Sequence, residues 1–471
     1  MSQGLLPYLV EVLPDGGTVT GRAGLPLVVE TMRALGLEAA IAQHVRVRER
    51  QSGYTEAEKV EALVLLLAAG GDCLADIAVL QADTGLQRLL GRRLPSADRL
   101  RHFLYACHDD QLIAAAQAQR PAGQAAYIPA ENAVLQGLAH VTTALVHQMA
   151  AQGKNTSATL DHDATLQESH KREALPHYKG GRGYQPTAVY WVEQDLVVAD
   201  EYRDGNGGAG MATRPLIQRA FASLPPTVTT FSFRADTACY DAQTLQWLAD
   251  PARPGGPQGP IGFTIGADMT KELHAVCAAV PETHWALFED RPDETVHCTE
   301  VEFTPGEWSK QAQPLRYIAL RIRKKQGLLF ASGADTKYLA LVSNRWALAP
   351  TALLRWHWQK AGTIELVHDI TKNELGAAVP PCGRFGANAA WYRLSLLTYN
   401  ILSALKSLAL PPALSAARPK RLRFALFTVA GRLVSHAGQL VLRVGAAVER
   451  LAGLITARVQ LARVAHAPPV R

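Results

Sequence analysis

The segment SATLDHDATLQ, Ser157 to Gln167, ends a run of β-forming and apolar residues on two carboxylates, Asp161 and Asp163. A second such run closes in FRADTACYD on Asp236. Carboxylates at strand ends sit on a rigid backbone while their side chains reach a ligand. Two of them held close together repel, so such a site needs protons or cations between them. Hard oxygen donors favour Mg²⁺ or Mn²⁺. A third carboxylate would complete a site for two ions roughly 3.5–4 Å apart, one activating an attacking oxygen and the other stabilising the leaving oxygen of a phosphodiester. Glu365, in WQKAGTIELVHDITKNELG, is the best third candidate. Lys372 follows it at a spacing of two helical turns on one face, which would aim Glu365 at metal and Lys372 at a DNA backbone. Asp163 shares the face of Asp161 and reads as a supporting hydrogen-bond acceptor, whereas His162 points the other way into packing.

The elements that must position these residues follow from pattern. TEAEKVEALVLLLAAGGDCLADIAVL has helical apolar spacing, with Thr55 as a cap and a break at Gly70-Gly71. LPSADRLRHFLYACHDDQL predicts short helices with tight turns, similar to a helix-turn-helix, in which Arg92, Arg93, Arg99 and Arg101 could face DNA. A Pro-punctuated linker, Gln119–Asn132, precedes a helix of about twenty residues ending near Gly153. SATL then reads as a strand, and AVYWVEQDLVVADEYRDG as two strands joined near Glu193–Asp195. TVTTFSFRADTACYDAQTLQWLAD predicts a buried strand, a loop and a helix, and IGFTI a further short strand. Residues 270–342 are rich in β-formers and could form an extra sheet inserted into the main domain. After Pro350 the chain turns helical, and LPPALSAARP links it to final basic helices.

At 471 residues and 48% hydrophobic content the chain can bury a large core. Its six cysteines are scattered, with no CxxC pair, so neither a disulfide framework nor a zinc site is indicated and a reducing cytoplasm fits best. Neither a secretion leader nor a membrane-spanning stretch is expected. The net charge of +6 is a property of the tail, because residues 401–471 hold nine Arg and two Lys against one acid, Glu449. Such a segment can neutralise phosphates and release counterions. Other candidates for phosphate contact are Lys179 and Arg182 in the glycine-rich YKGGRGYQP, and Arg203 in YRDGNGG. The region Lys310, Arg316, Arg321, Arg323, Lys324 and Lys325 forms a stronger basic patch, and Trp308 beside it could stack on a displaced base.

TLDHDAT, HYKGGRGYQP, EYRDGNGGAG, FRADTACY and IELVHDITKNELGA followed by RFGANAAWYRLSLLTYNIL resemble, in that order, the DDE transposases of bacterial insertion sequences, most of all the branch called transposase DDE domain group 1. The resemblance covers most of the chain. It implies an α/β fold: an RNase H-like mixed-sheet catalytic core with a β-rich insertion, a helical N-terminal DNA-binding domain and a helical basic C-terminal tail. The expected division is 1–130 for the N-terminal region, 131–269 and 350–409 for the two parts of the core, 270–349 for the insertion and 410–471 for the tail. The resemblance also implies a catalytic and metal-binding triad of Asp161, Asp236 and Glu365 with two Mg²⁺ or Mn²⁺ ions. Related enzymes carry the pattern Y-x2-R-x3-E-x6-K around the glutamate. This chain keeps Glu365 and Lys372 but has Trp358 and Ala361 at the aromatic and arginine positions, which leaves Lys360 or Arg355 as candidates for the missing cation. The implied activity is DNA cleavage at terminal inverted repeats and strand transfer by a 3′-hydroxyl. Implied partners are double-stranded DNA, as element ends and target, and a second copy of the chain in a homodimer or larger synaptic assembly. A nuclease that cuts without joining, and a DNA-binding regulator with a decayed site, are the alternatives.

Overall fold

The computed structural model describes residues 18–47, 53–153, 155–306, 308, 314–445 and 448–466. Its centre is a nine-stranded mixed sheet. Strands β1 (Ser157–Ala164), β2 (Thr187–Trp191) and β3 (Leu196–Glu201) form an antiparallel meander. Strand β4 (Thr230–Ala235) lies parallel to β1, and β5 (Ile261–Ala267) parallel to β4. Four antiparallel strands follow, β6 (Ala286–Asp290), β7 (Glu294–Val301), β8 (Arg316–Lys324) and β9 (Thr336–Ser343), and β9 pairs antiparallel with β5. The order across the sheet is β6-β7-β8-β9-β5-β4-β1-β2-β3. The β-rich segment therefore lengthens the main sheet and does not form a separate one.

Six helices matter for what this sheet carries: α1 (Ala133–Ala151), α2 (Thr213–Ala222), α3 (Ala242–Ala249), α4 (Pro350–Trp358), α5 (Ile364–Glu374) and α6 (Phe385–Ala409). Parallel neighbours need a crossover connection, and α3 provides it between β4 and β5. Helix α6 is apolar on nearly every face and is buried accordingly, packed among α1, β3 and the N-terminal helices. It can begin so close to its neighbour because Gly386 has no side chain: a Cβ there would lie 2.1 Å from the Cys107 carbonyl oxygen. On its far side Asn400 donates to and accepts from the Val197 backbone, both at 2.8 Å, covering one position of the edge strand β3.

The ends of the chain differ from expectation. The basic C-terminal region is not wholly helical: Gly431–His436 and Gln439–Val444 form a hairpin, and Val19–Thr20 adds a third strand. Ala437 and Gly438 make its two-residue turn with φ of 49° and 76°, the left-handed pair that matches strand twist. Only then does a helix, Val448–His466, follow, packing on Pro26–Ala34 and α6. The N- and C-terminal regions thus share one small sheet. Among the described residues no single helix is long and apolar enough to cross a membrane.

Arg393, on α6, ties three elements together beneath the sheet. It donates to Asp200 on β3 at 2.9 Å, to Glu131 before α1 at 2.7 Å, and to the Leu135 carbonyl at 2.6 Å. Arg393 and Asp200 are both buried, and burial pushes the Asp200 carboxyl up against the pull of the guanidinium. Removing one partner of such a pair leaves an uncompensated buried charge. Arg393→Met should therefore lower unfolding free energy in urea by about 3–5 kcal/mol. A variant as stable as the parent would show that the network carries no such load.

Candidate active site

The parallel pairing of β1 with β4 sets the site. Its register places Asp161 beside Arg234. Two residues further along each chain, on the same face, stand Asp163 and Asp236. D-x-D on one strand thus runs alongside R-x-D on its neighbour. The first pair closes on itself and the second stays open.

Asp161 is fully buried. Arg234 donates to it twice, Nε to Oδ1 at 2.6 Å and Nη2 to Oδ2 at 2.8 Å, and the Thr363 hydroxyl donates to Oδ2 as well. The remaining guanidinium nitrogen, Nη1, reaches the Trp356 carbonyl at 2.6 Å and Gln359 Oε1 at 3.1 Å. Burial raises the Asp161 carboxyl, and Arg234 and Thr363 oppose it. We hold the pair to be ionised, because a guanidinium does not lose its proton and a neutral Asp161 would leave that cation buried and unpaired. The expectation that Asp161 holds metal is therefore corrected: its oxygens are taken by Arg234 and Thr363 and have no access to solvent.

Asp163 stands where Asp161 was expected. Its side chain is 15% exposed, its Oδ1 accepts from the Ala164 amide, and its Oδ2 lies 3.6 Å from the Lys360 ammonium. Asp236 uses Oδ1 to accept from the Ala238 amide at 3.0 Å, capping a short 3₁₀ turn. One oxygen of each carboxylate is thereby steadied by backbone. Glu365, in the first turn of α5, is half exposed, and its Oε1 is also 3.6 Å from the Lys360 ammonium. Burial pushes the Asp163 carboxyl up to about 6, with Asp236 and Glu365 adding to the rise and Lys360 opposing it. The structure thus gathers Asp163, Asp236, Glu365 and Lys360.

Three histidines surround this group without charging it. His162 contacts Thr187 and Cys239, and burial lowers it to about 3. His357, bonded to Thr264, is lowered to about 3, and His368, against the Asp163 carbonyl, to about 4. All are neutral at physiological pH, so among the described residues Lys360 is the cation that stands between Asp163 and Glu365. The donor set is hard oxygen, which fits Mg²⁺ or Mn²⁺, and an ammonium already stands between two of its members. The three acids are not drawn into one tight cluster: among the described residues only Asp72, Cys73 and Asp76 offer ligand atoms all within 4.8 Å of one another. Glu365 is the half-exposed member of the three.

The other expected contacts fare unevenly. Lys372 donates to the Leu166 carbonyl at 2.8 Å, so it tethers the segment after β1. Arg203 is buried, with Glu201 and the Gly208 and Ala209 carbonyls around it, and cannot reach DNA. The patch on β8 is largely neutralised. Arg321 is buried over Trp285 and shares Glu282 with Arg323, Lys324 pairs with Glu294, and Lys325 with Asp290. Arg316 is buried against Glu300, and Lys310 lies outside the described residues. Trp308 is half-buried and packs on the main core, so it is not the free stacking surface expected. Arg92 is paired with Glu61, and Arg101 with Asp98 at 2.5 Å. Arg99, Lys179, Arg182 and Arg355 are exposed, although Arg182 also bonds the Arg172 and Ala174 carbonyls. Sequence reasoning passed over Arg234 altogether.

The model of the family described as transposase DDE domain group 1 matches residues 8–464. The chain belongs to that transposase family. No curated protein matches it. Among solved structures it is similar to the piggyBac transposase in a synaptic complex with hairpin DNA, at 11% identity and a TM-score of 0.43, over 80% of this chain and 73% of that one. Membership makes this chain a DNA transposase.

Stability separates the two acids of this transposase that share a strand face. A carboxyl raised in the folded state binds its proton more tightly there than in the unfolded chain. Its stabilising effect is therefore lost as pH rises from the ordinary value of 3.8 through about 6. Asp163→Asn should raise the stability of the metal-free protein near neutral pH by up to about 2–3 kcal/mol, with no gain at about pH 4. Asp161→Asn strands Arg234 and should lose about 3–5 kcal/mol. Denaturant unfolding at both pH values checks the pair; equal effects of the two substitutions would refute the distinction.

Proposed function

We propose that this transposase cuts a phosphodiester at the end of an insertion sequence and joins the freed 3′-hydroxyl to target DNA, using Asp163, Asp236 and Glu365 in an RNase H-like core. The observation that supports the reading is the strand register, which pairs Asp161 with Arg234 and leaves Asp163 and Asp236 two residues beyond that pair, near enough for Asp236 to raise the Asp163 carboxyl, while Lys360 stands 3.6 Å from both Asp163 and Glu365. An antiparallel meander followed by two parallel strands is the sheet order such a core requires, and β6–β9 fall between the second and third acids, as an insertion would. In this reading the helices before residue 130 contribute to DNA binding, and residues 270–349 are the insertion.

Two Mg²⁺ or Mn²⁺ ions, when bound, supply charge to the attacking and leaving oxygens of an in-line displacement. The chain's own part is positional. Asp163 and Asp236 are fixed by adjacent strands and steadied by backbone amides, so their geometry is set before DNA arrives. Glu365, at a helix N-terminus, is the adjustable member. The neutral histidines leave the site's electrostatics to the acids and Lys360. Exposed Arg99, Lys179, Arg182 and Arg355 are the cations we assign to DNA phosphates. An element has two ends, so the working form is a homodimer or larger assembly on double-stranded DNA in the bacterial cytoplasm.

The test is cleavage of a plasmid carrying the gene with its flanking DNA, in Mn²⁺ or Mg²⁺, together with transfer of a 3′-hydroxyl oligonucleotide. Asp163→Asn, Asp236→Asn and Glu365→Gln should each reduce both products by roughly a hundredfold or more, the several kcal/mol that metal-held charge supplies. Full activity in folded Asp163→Asn protein would overturn the assignment.

A further inference from the structure

Lys360 is a buried ammonium, 6% exposed, on the 3₁₀ turn Gln359–Gly362 that joins α4 to α5. Its neighbours are carboxylates, Asp163 Oδ2 and Glu365 Oε1, each 3.6 Å from Nζ. That separation is beyond a hydrogen bond. Other partly buried lysines among the described residues are held more tightly: Lys372 donates to a carbonyl at 2.8 Å, Lys59 to Glu56 and Lys324 to Glu294 at 2.8 Å, and Lys406 to Asp195 at 3.2 Å. Its backbone, by contrast, is pinned. The Lys360 carbonyl accepts from the Thr363 amide at 3.1 Å, and the adjacent Gln359 holds Arg234. A fixed backbone thus carries a charged tip that only charge holds in place.

Three carboxylates without a counter-ion would repel one another in a partly dehydrated site. One ammonium between Asp163 and Glu365 relieves that repulsion while no metal is bound. We propose that Lys360 is the resident cation of the metal-free site. It keeps Asp163 and Glu365 on one locus, and a divalent ion binds by displacing its ammonium, so that metal affinity is set by competition with a side chain of the same protein. The inference rests on the reading of Asp163, Asp236 and Glu365 as ligands. Lysine suits the role: its four-carbon stem is flexible, and its compact, strongly hydrated charge regains water when it leaves.

The experiment follows Mn²⁺ binding to the full chain without DNA, by the electron paramagnetic resonance of free Mn²⁺, with melting curves in parallel. Lys360→Met should bind Mn²⁺ at least about tenfold tighter, since a like charge a few ångströms from the ion is removed. Its metal-free form should melt lower than the parent, and Mn²⁺ should raise its melting temperature by more. Lys360→Arg, which keeps the charge, should not gain affinity. If Lys360→Met does not fold, Lys360→Gln gives the same comparison with a polar tip. Unchanged or weaker binding in the neutral variants, with parent binding lost in Asp236→Asn, would overturn the role of Lys360 and leave the metal site standing. No Mn²⁺ binding by the parent would remove both.

Discussion

A guanidinium locked onto a carboxylate in the interior, Arg234 on Asp161, is the constraint on which the rest of this site depends. Burying either charge alone costs several kcal/mol, and their attraction offsets that only when the geometry is good and the spare donors are used. Here they are: Nε and Nη2 hold Asp161, and Nη1 holds the Trp356 carbonyl and Gln359. A well-packed apolar pair could give as much net stability. What it could not give is direction. The pair joins β1, β4 and the end of α4, and Thr363 extends it to the start of α5. The two strands bearing Asp163 and Asp236 are thereby fixed to the turn bearing Lys360 and the helix bearing Glu365.

The strands beyond β5 serve the same end from the other side. Val296 and Cys298 on β7, Ile318 and Leu320 on β8, Leu341 on β9, and Leu353 and Leu354 on α4 form a small core of their own. Trp358, at the last position of α4, packs edge-on against Phe288 of β6 with ring centroids 4.9 Å apart, and Arg291 lies over it at 5.6 Å. Strands far from the acids in the sheet therefore seat the helix that leads into Glu365. Extending one sheet, rather than adding a second, makes this possible, because α4 can lie across β5 and β7 together.

Much of this architecture could be read from residue pattern, and the failures have physical causes. The strands at SATL, AVYWV, DLVVADE, FSFRA and IGFTI and the long helix before Gly153 all follow from alternation or helical spacing. The choice of Asp161 over Asp163 failed because spacing along one strand says nothing about the strand beside it. The available signal was Arg234: an arginine two places before Asp236 matches the acid two places before Asp163, so the first pair neutralises and the second remains. The basic patch on β8 misled because its acids, Glu282, Asp290 and Glu294, come from segments folded against it. The C-terminal hairpin departs from the expected helix because Ala437-Gly438 makes a two-residue turn between GRLVSH and QLVLRV, which charge counting overlooks.

The departures at Trp358 and Ala361 also gain a physical sense. A 3₁₀ turn advances about 120° per residue, so neighbours on it face different ways. Ala361 is exposed and Lys360 is buried. A cation at position 361 would therefore point toward solvent in this chain, whereas one residue earlier it points among the acids. Shifting the charge by one position moves it from a place where it could only meet DNA to a place where it meets Asp163 and Glu365 first. The turn that makes this difference is held by Gln359 on Arg234 and Thr363 on Asp161. The cation's position is thus another consequence of the same buried pair.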